Sequence, residues 1–325
     1  MIDPQSIFSI QNTEEFRSVA LEVFRFQAEH CPPYREYVAR WGIDPAQVSD
    51  IDQIPFLPIE FFKSRDVYAG AKEPQIVFTS SATTGQVPSR HPVADLSIYE
   101  QSFSQTFSLF YGDPADYSIF ALLPNYLERS GSSLVYMADR LMAMGEGGGF
   151  FLHGYSELVR QMEAAAGQGR KILLLGVSFA LWELAENYRF SLPGLTVMET
   201  GGMKGRRKEI TREELHTILC RSFGVEKIAS EYGMAELLSQ AYSAGEGLFR
   251  TPPWMAVRTR DVYDPTCTLP AGRSGGINVI DLANLYSCSF IETQDMGVRY
   301  PDGSFRVLGR LDKSEIRGCN LMISE

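Results

Sequence analysis

Between residues 75 and 230, short apolar runs alternate with amphipathic stretches long enough to be helices, and this alternation narrows the possible folds more than any other feature. Strands are predicted at QIVFTSS (75–81), YSIFALLP (117–124), KILLLGV (171–177), LTVMET (195–200) and KIAS (227–230). Helices are predicted between them at 96–110, 130–144, 155–169, 179–188 and 211–224. Parallel strands need a long crossover, and a helix supplies one, so the pattern predicts an α/β domain with a largely parallel sheet. Ahead of it, residues 14–30 place Phe16, Val19, Ala20, Val23, Phe24 and Phe26 at roughly helical spacing among charges, an amphipathic helix expected to pack onto the α/β region. After Leu248 the chain turns β-rich, with turn signals at AGRSGG, PDGS and DPT, which predicts a smaller antiparallel or barrel-like subdomain.

Composition removes several functions. The 325 residues carry 30 Lys+Arg against 40 Asp+Glu, a net charge of −10 that disfavours a general nucleic-acid binder. A small anion in a local pocket stays allowed. No apolar run approaches the ~18 residues of a membrane span, and MIDPQSIFSIQ lacks the features of a leader, so a cytoplasmic protein is expected. Five dispersed cysteines (Cys31, Cys220, Cys267, Cys288, Cys319) form no CxxC or Cys/His cluster, so neither disulfides nor zinc are expected and each reads as a small buried hydrophobe.

Open parallel sheets bind ligands at the carboxyl ends of their strands, so the residues that follow strands carry the most information. Directly after the first predicted strand come Thr79, Ser80, Ser81, Ala82, Thr83, Thr84 and Gly85, with Arg90 close behind. Hydroxyls, free N–H groups, a glycine and an arginine suit a phosphate loop, although a polar turn has the same composition. Neither GxxxxGK[ST] nor GxGxxG is present. Ser230-Glu231-Tyr232-Gly233-Met234-Ala235-Glu236 also follows a strand; Glu236 suits a magnesium ion that keeps most of its waters, or the acidic first turn of a helix. Thr293-Gln294-Asp295 is either a ribose-binding strand end or an Asp turn, and Gly309-Arg310-Leu311-Asp312-Lys313 read alone is a charged surface turn. His91 and His153 have no Ser or Asp partner at triad spacing and are taken as structural or pocket-lining.

Together and in this order, these segments resemble the adenylate-forming superfamily of acyl- and aryl-CoA ligases, firefly-type luciferases and nonribosomal adenylation domains. Residues 80–85 look like its S-G-T-T-G loop, 232–236 like Y-G-x-T-E, 293–295 like T-G-D, and 309–312 like G-R-x-D. Thr200-Gly201-Gly202 resembles the G-G turn beside the nucleotide and acyl pocket. Within the superfamily the closest resemblance is to LuxE-type acyl-protein synthetases, long-chain fatty acid–protein ligases, through IPFLPIEFFKS (53–64), LLPNYLERSGSSLVYM (122–137) and TGGMKG (200–205). The chain departs from the pattern at Ala82, Ala235, Gln294 and Arg90, where the family has Gly, a hydroxyl residue, Gly and Lys.

The resemblance implies ATP and Mg²⁺. It assigns Ser80, Ser81, Thr83, Thr84 and Gly85 to the phosphates with Arg90 beside them, and Glu236 to the metal. Gly201, Gly202, Tyr232 and Gly233 fall at the nucleotide, Asp295 and Arg310 at the ribose, and Asp312 or Lys313 at the hinge. Cys319, beside Arg317, is the candidate acyl carrier, since a cationic neighbour favours thiolate; packing is its other reading. Lys204 is a candidate cation at the carboxylate or α-phosphate, or merely solvates its loop. The implied architecture is a single adenylating domain over 1–325: an N-terminal helical segment (1–65), an α/β region (70–247) and a β-rich subdomain (248–325) ending at the hinge, with the small C-terminal domain of longer relatives absent. The expected activity is activation of a fatty acid as acyl-adenylate and transfer to a cysteine or a protein partner. The alternatives are an acyl- or aryl-CoA ligase of the phenylacetate type and a non-catalytic nucleotide- or acyl-binding module.

Overall fold

The computed structural model describes residues 2–80, 87–123, 131–152, 154–201 and 210–311. In chain order the strands are β1 (Leu57–Pro58), β2 (Ile76–Thr79), β3 (Arg90–Val93), β4 (Tyr117–Leu122), β5 (Gly148–Phe150), β6 (Lys171–Gly176) and β7 (Leu195–Glu199). They continue as β8 (Ala229–Tyr232), β9 (Ala241–Ser243), β10 (Phe249–Arg250), β11 (Met255–Arg260), β12 (Ser274–Asp281), β13 (Phe290–Arg299) and β14 (Phe305–Arg310). The main sheet runs β11-β12-β13-β14-β10-β9-β8-β7-β6-β4-β5, with β1 added in parallel to β13. From β5 to β8 every pairing is parallel; from β8 to β11 every pairing is antiparallel.

Helical crossovers account for the parallel half. Helices Ser133–Met144, Tyr155–Gly167, Ser178–Asn187 and Arg212–Phe223 lie between its strands in sequence, at the predicted places. Their ends have local causes. The last of them starts in a capping box, Thr211 with Glu214, and stops at Gly224, whose φ of 63° a glycine adopts without strain. Strands β4 and β6 are buried almost along their whole length, which is why they read as unbroken apolar runs.

Two features differ from the sequence reading. Among the described residues, the strand predicted at 75–81 does not enter the parallel sheet; β2 pairs there with β3 alone, as a separate antiparallel hairpin. The β-rich stretch after Leu248 is antiparallel, as one of its two readings has it, but among the described residues it continues the main sheet, because β10 pairs with both β9 and β14. In addition, Cys267 is exposed and Cys220 half-buried, whereas Cys31 and Cys288 are buried; all four are free thiols.

Polar contacts as well as apolar ones hold the N-terminal helix Thr13–His30 to the far end of the chain. Fully buried Gln27 donates from Nε2 to the carbonyls of Asn284 (2.9 Å) and Leu285 (3.0 Å) and to Ser289 Oγ (3.0 Å). Its Oε1 accepts from the Ser289 amide at 2.9 Å. Leucine has the size but none of these groups, so Gln27→Leu leaves several buried partners unmet. An expected loss of about 2–4 kcal/mol, read by urea unfolding, results from that desolvation. A variant within about 0.5 kcal/mol of the parent would show that apolar contact alone docks this helix. Among the described residues no helix is long and apolar enough to cross a membrane.

Candidate active site

A cleft of about 740 Å³ opens where the parallel strands end and the antiparallel ones begin. Its walls come from the carboxyl ends of β7 (Thr200, Gly201) and β8 (Tyr232 to Glu236), from β13 (Thr293 to Asp295) and from β14 (Val307, Arg310). Thr79 and Ser80 after β2, Tyr99 of helix Leu96–Tyr111, and Leu134 and Met137 of helix Ser133–Met144 complete it. Strand ends thus converge here as the open-sheet rule requires.

The cleft gathers Ser80, Gly201, Tyr232, Gly233, Glu236, Asp295 and Arg310, seven of the residues singled out from the sequence. Arg90 is described but exposed, and it is absent from the lining. Ser81, Thr83, Thr84, Gly85, Gly202, Lys204, Asp312, Lys313 and Cys319 lie outside the described residues, as does His153. The loop that begins at Ser80 is clasped at its base. The Ser89 amide donates to Ser80 Oγ (2.9 Å), and the Ser80 amide donates to the Ser89 carbonyl (3.1 Å).

Asp295 sits between two partners. The Tyr232 hydroxyl donates to its Oδ2 at 2.8 Å, and Arg310 Nε stands 3.6 Å from Oδ1. The strand register explains the pairing, since Asp295 and Arg310 are opposite one another on β13 and β14. Burial raises the Asp295 pKa, against the lowering effect of Tyr232 and Arg310. The Arg310 side chain keeps 82% of its exposure, so its guanidinium faces the open cleft with donors to spare.

Glu236 is only 5% exposed, and burial raises its pKa, opposed by a hydrogen bond from Ser89 and by the charges of Arg310 and Lys63. The loop that carries it is fastened on three sides. Asp281 accepts from the amides of Leu238 (2.9 Å) and Ser239 (2.8 Å), and Asn284 Nδ2 donates to the Glu236 carbonyl at 2.8 Å. His91 completes the set. Burial holds its pKa down at about 4, so the ring is neutral. It donates from Nδ1 to the Ala235 carbonyl at 2.9 Å and accepts at Nε2 from Ser287 Oγ at 2.8 Å. His91 is therefore a brace for the Glu236 loop. Gln294, at a departure from the family pattern, donates to Glu60 at 2.7 Å and so is turned to structural use.

Two further carboxylates have no role in the sequence reading, because each sits at the end of an apolar run with no motif to mark it. Glu199 is buried, and it accepts from Ser178 (2.9 Å) and Ser230 (3.0 Å) with Arg212 Nε at 3.3 Å. Burial alone would raise its pKa, but His216, Arg212 and Ser178 hold it below the ordinary glutamate range. It ties the ends of β6, β7 and β8 together beneath the cleft. Glu231 lines the cleft itself and accepts from Thr200 Oγ1 at 2.6 Å.

Burial pushes the Glu231 pKa up from 4.5 to about 7, with the Thr200 hydrogen bond opposing and the Glu199 charge adding to the rise. Between those two values the folded protein binds a proton that the unfolded chain lacks. Its stability therefore falls as pH rises through that window, by an amount on the order of 3 kcal/mol. Glu231→Gln should remove this slope, so unfolding free energies of parent and variant diverge between pH ~5 and ~8. Parallel curves would assign the parent's slope to other groups.

A family model described as "Acyl-protein synthetase, LuxE" matches residues 3–325. The chain is 36% identical over 76 residues to the long-chain-fatty-acid–luciferin-component ligase of Photorhabdus luminescens, a stretch covering 22% of this chain and 65% of that relative. Among solved structures, 2-hydroxyisobutyryl-CoA ligase in an open conformation with 2-HIB-AMP and CoA is similar at a TM-score of 0.69 and 16% identity, over 96% of this chain and 75% of that one. ATP-bound MatB from Rhodopseudomonas palustris is similar at a TM-score of 0.54 and 19% identity, over 74% of this chain and 49% of that one. At such identities the likeness is one of fold.

Proposed function

The chain belongs to the LuxE acyl-protein synthetase family, and from that premise we propose that it activates a carboxylic acid with ATP as an acyl-adenylate and passes the acyl group to a thiol. The observation that carries this reading is the convergence of Glu236, Asp295, Arg310 and Tyr232 on one cleft at the carboxyl ends of the sheet. Adenylation joins two anions, the acid and the α-phosphate, and expels pyrophosphate. Its catalysis therefore rests on neutralising charge and fixing geometry.

In this reading Asp295 accepts from the ribose hydroxyls, held in place by the Tyr232 hydroxyl. Arg310 extends its guanidinium over the same end of the cleft. The Ser80–Ser89 clasp fixes the mouth of the loop assigned to the phosphates, while Gly201 keeps the β7 turn clear of side-chain atoms. Glu236 fits magnesium: it is a single buried carboxylate beside a serine hydroxyl. The described residues hold no group of three or more metal-ligating side chains, which matches an ion bound through one carboxylate and nucleotide phosphates. When bound, Mg²⁺ would neutralise charge on the phosphates. Chain positions outside the described residues, Lys204 as a cation and Asp312 or Lys313 as hinge, remain part of the proposal. So do the single adenylating domain over 1–325 and a cytoplasmic place for the reaction.

The acceptor separates two readings. The family description and the fatty-acid ligase of Photorhabdus luminescens support a fatty acid passed to a protein thiol, with Cys319 as carrier. The CoA ligases among the solved neighbours support the acyl- or aryl-CoA ligase alternative, and they give it more support than protein transfer receives. Coenzyme A is therefore the first acceptor to test. ATP–pyrophosphate exchange across fatty and aryl acids tests adenylation; no exchange with any acid would leave only the binding-module reading. Mass spectrometry after ATP, acid and CoA then decides the acceptor. Free acyl-CoA without an adduct supports the CoA ligase, and an adduct lost in Cys319→Ser supports protein transfer.

A further inference from the structure

Gln240 is 4% exposed, lines the cleft, and its Oε1 has no hydrogen-bond partner among the described residues. An orphaned acceptor at that depth carries a desolvation cost that a ligand group can relieve. It does not stand alone. A Cβ built on Gly233 would lie 2.2 Å from Glu231 Oε1 and 3.4 Å from Gln240 Cγ, so both side chains flank the bare face of that glycine. Glu231 Oε2 is taken up by Thr200, which leaves Oε1 as the oxygen beside Gly233.

Within the one cleft, Glu231 projects from the opposite face of β8 to Tyr232 and its partner Asp295. Successive residues of a strand face opposite ways, and on β8 Tyr232 reaches Asp295 and packs against Phe249 and Phe305. Glu231 turns the other way, within electrostatic reach of Tyr99 and Tyr242. Tyr99 donates to the Ser133 carbonyl at 2.9 Å, which brings helix Leu96–Tyr111 against the helix whose Leu134 and Met137 line the cleft. The result is an inner compartment with an apolar wall and two acceptor-bearing side chains at Gly233.

We propose that this compartment selects a carboxylic acid whose acyl portion carries a hydroxyl group, bound by Gln240 and Glu231. The inference rests on the adenylation reading and names its substrate class. A plain alkyl chain offers neither Gln240 nor Glu231 a hydrogen-bond partner. A hydroxyl both donates and accepts, so it suits the amide in either orientation and the carboxyl in either protonation state.

The test is ATP–pyrophosphate exchange with octanoate, decanoate and benzoate, each beside its hydroxy and amino derivatives. The expected result is a kcat/KM at least about tenfold higher for a hydroxy acid than for its parent, because a site that hydrogen-bonds a hydroxyl rejects the analogue lacking it. In Gln240→Leu the KM for the hydroxy acid rises and the preference shrinks toward one; Gln240→Met serves if the first variant fails to fold. Exchange with parent acids at equal or higher kcat/KM would overturn the inference and leave the adenylation reading intact. A preference for amino derivatives, or a hydroxyl preference that survives both Gln240 variants, would overturn it as well. No exchange with any acid would remove the adenylation reading and this inference with it.

Discussion

Glu236→Gln should lower ATP–pyrophosphate exchange by about 10²–10³-fold while leaving the fold intact, because the substitution removes charge and almost nothing else. Its loop is fixed by contacts that do not use the side chain: Asp281 to the amides of Leu238 and Ser239, Asn284 to the Glu236 carbonyl, and His91 to the Ala235 carbonyl. A glutamine keeps the shape and can still accept from Ser89. What it cannot do is balance a divalent cation and the phosphates around it. The variant should therefore need far more Mg²⁺ for half-maximal exchange. Thermal melting should not fall, since burial already works against the charged form and raises the pKa of Glu236.

The direction of that shift gives the same prediction a pH signature. The ionised form is the one required, and its folded pKa lies above the ordinary glutamate value of 4.5. At subsaturating Mg²⁺, where the metal-free enzyme is titrated, activity should thus decline on acidification before an ordinary glutamate would protonate, and this acid limb should vanish from the residual activity of Glu236→Gln. Exchange within about threefold of the parent at equal Mg²⁺ would remove Glu236 from the metal role.

Local pattern made much of this molecule legible. Strands β4, β6 and β7 and the helices between them fall within a few residues of their predicted spans, because burial on both faces and helical crossovers leave strong local signatures. The same logic placed Tyr232 and Glu236 at the carboxyl end of a strand, where the cleft lies; Asp295, read as a strand end or a turn, stands instead inside β13, paired with Arg310. What local pattern misses is partnership across the chain. Residues 76–79 have the composition of a parallel strand, yet among the described residues they pair with 90–93 alone, and that partnership is not written in either segment. His91 gives no local sign that it braces a carbonyl 144 positions away. Glu199 and Glu231 each end an apolar run, where a carboxylate is ordinarily solvated; only the fold sets Thr200, Ser230 and Arg212 around them. Gln240, in SQAY, carries no motif at all, and its interest arises from burial with Oε1 unpartnered among the described residues and from its place beside Gly233.

Asp295 offers the sharpest test of where the nucleotide lies. Asp295→Asn keeps an oxygen for the Tyr232 hydroxyl but loses the charge that faces Arg310, so the local structure is retained. Arg310 is largely exposed, and releasing it from a pair at 3.6 Å costs little. The buried Tyr232 hydroxyl would be stranded by alanine, which makes asparagine the cleaner substitution. If Asp295 accepts from the ribose hydroxyls, replacing a charged acceptor by a neutral one should cost about 1.5–3 kcal/mol of binding. That is a rise in KM for ATP of about ten- to a hundredfold, with a smaller change in kcat. The parent should also discriminate against 2′-deoxy- and 3′-deoxy-ATP, and the variant should lose most of the discrimination against whichever hydroxyl Asp295 holds. A variant with raised KM but undiminished discrimination would place Asp295 in support of Arg310 instead. An unchanged KM for ATP, with discrimination intact, would move the ribose away from β13 altogether.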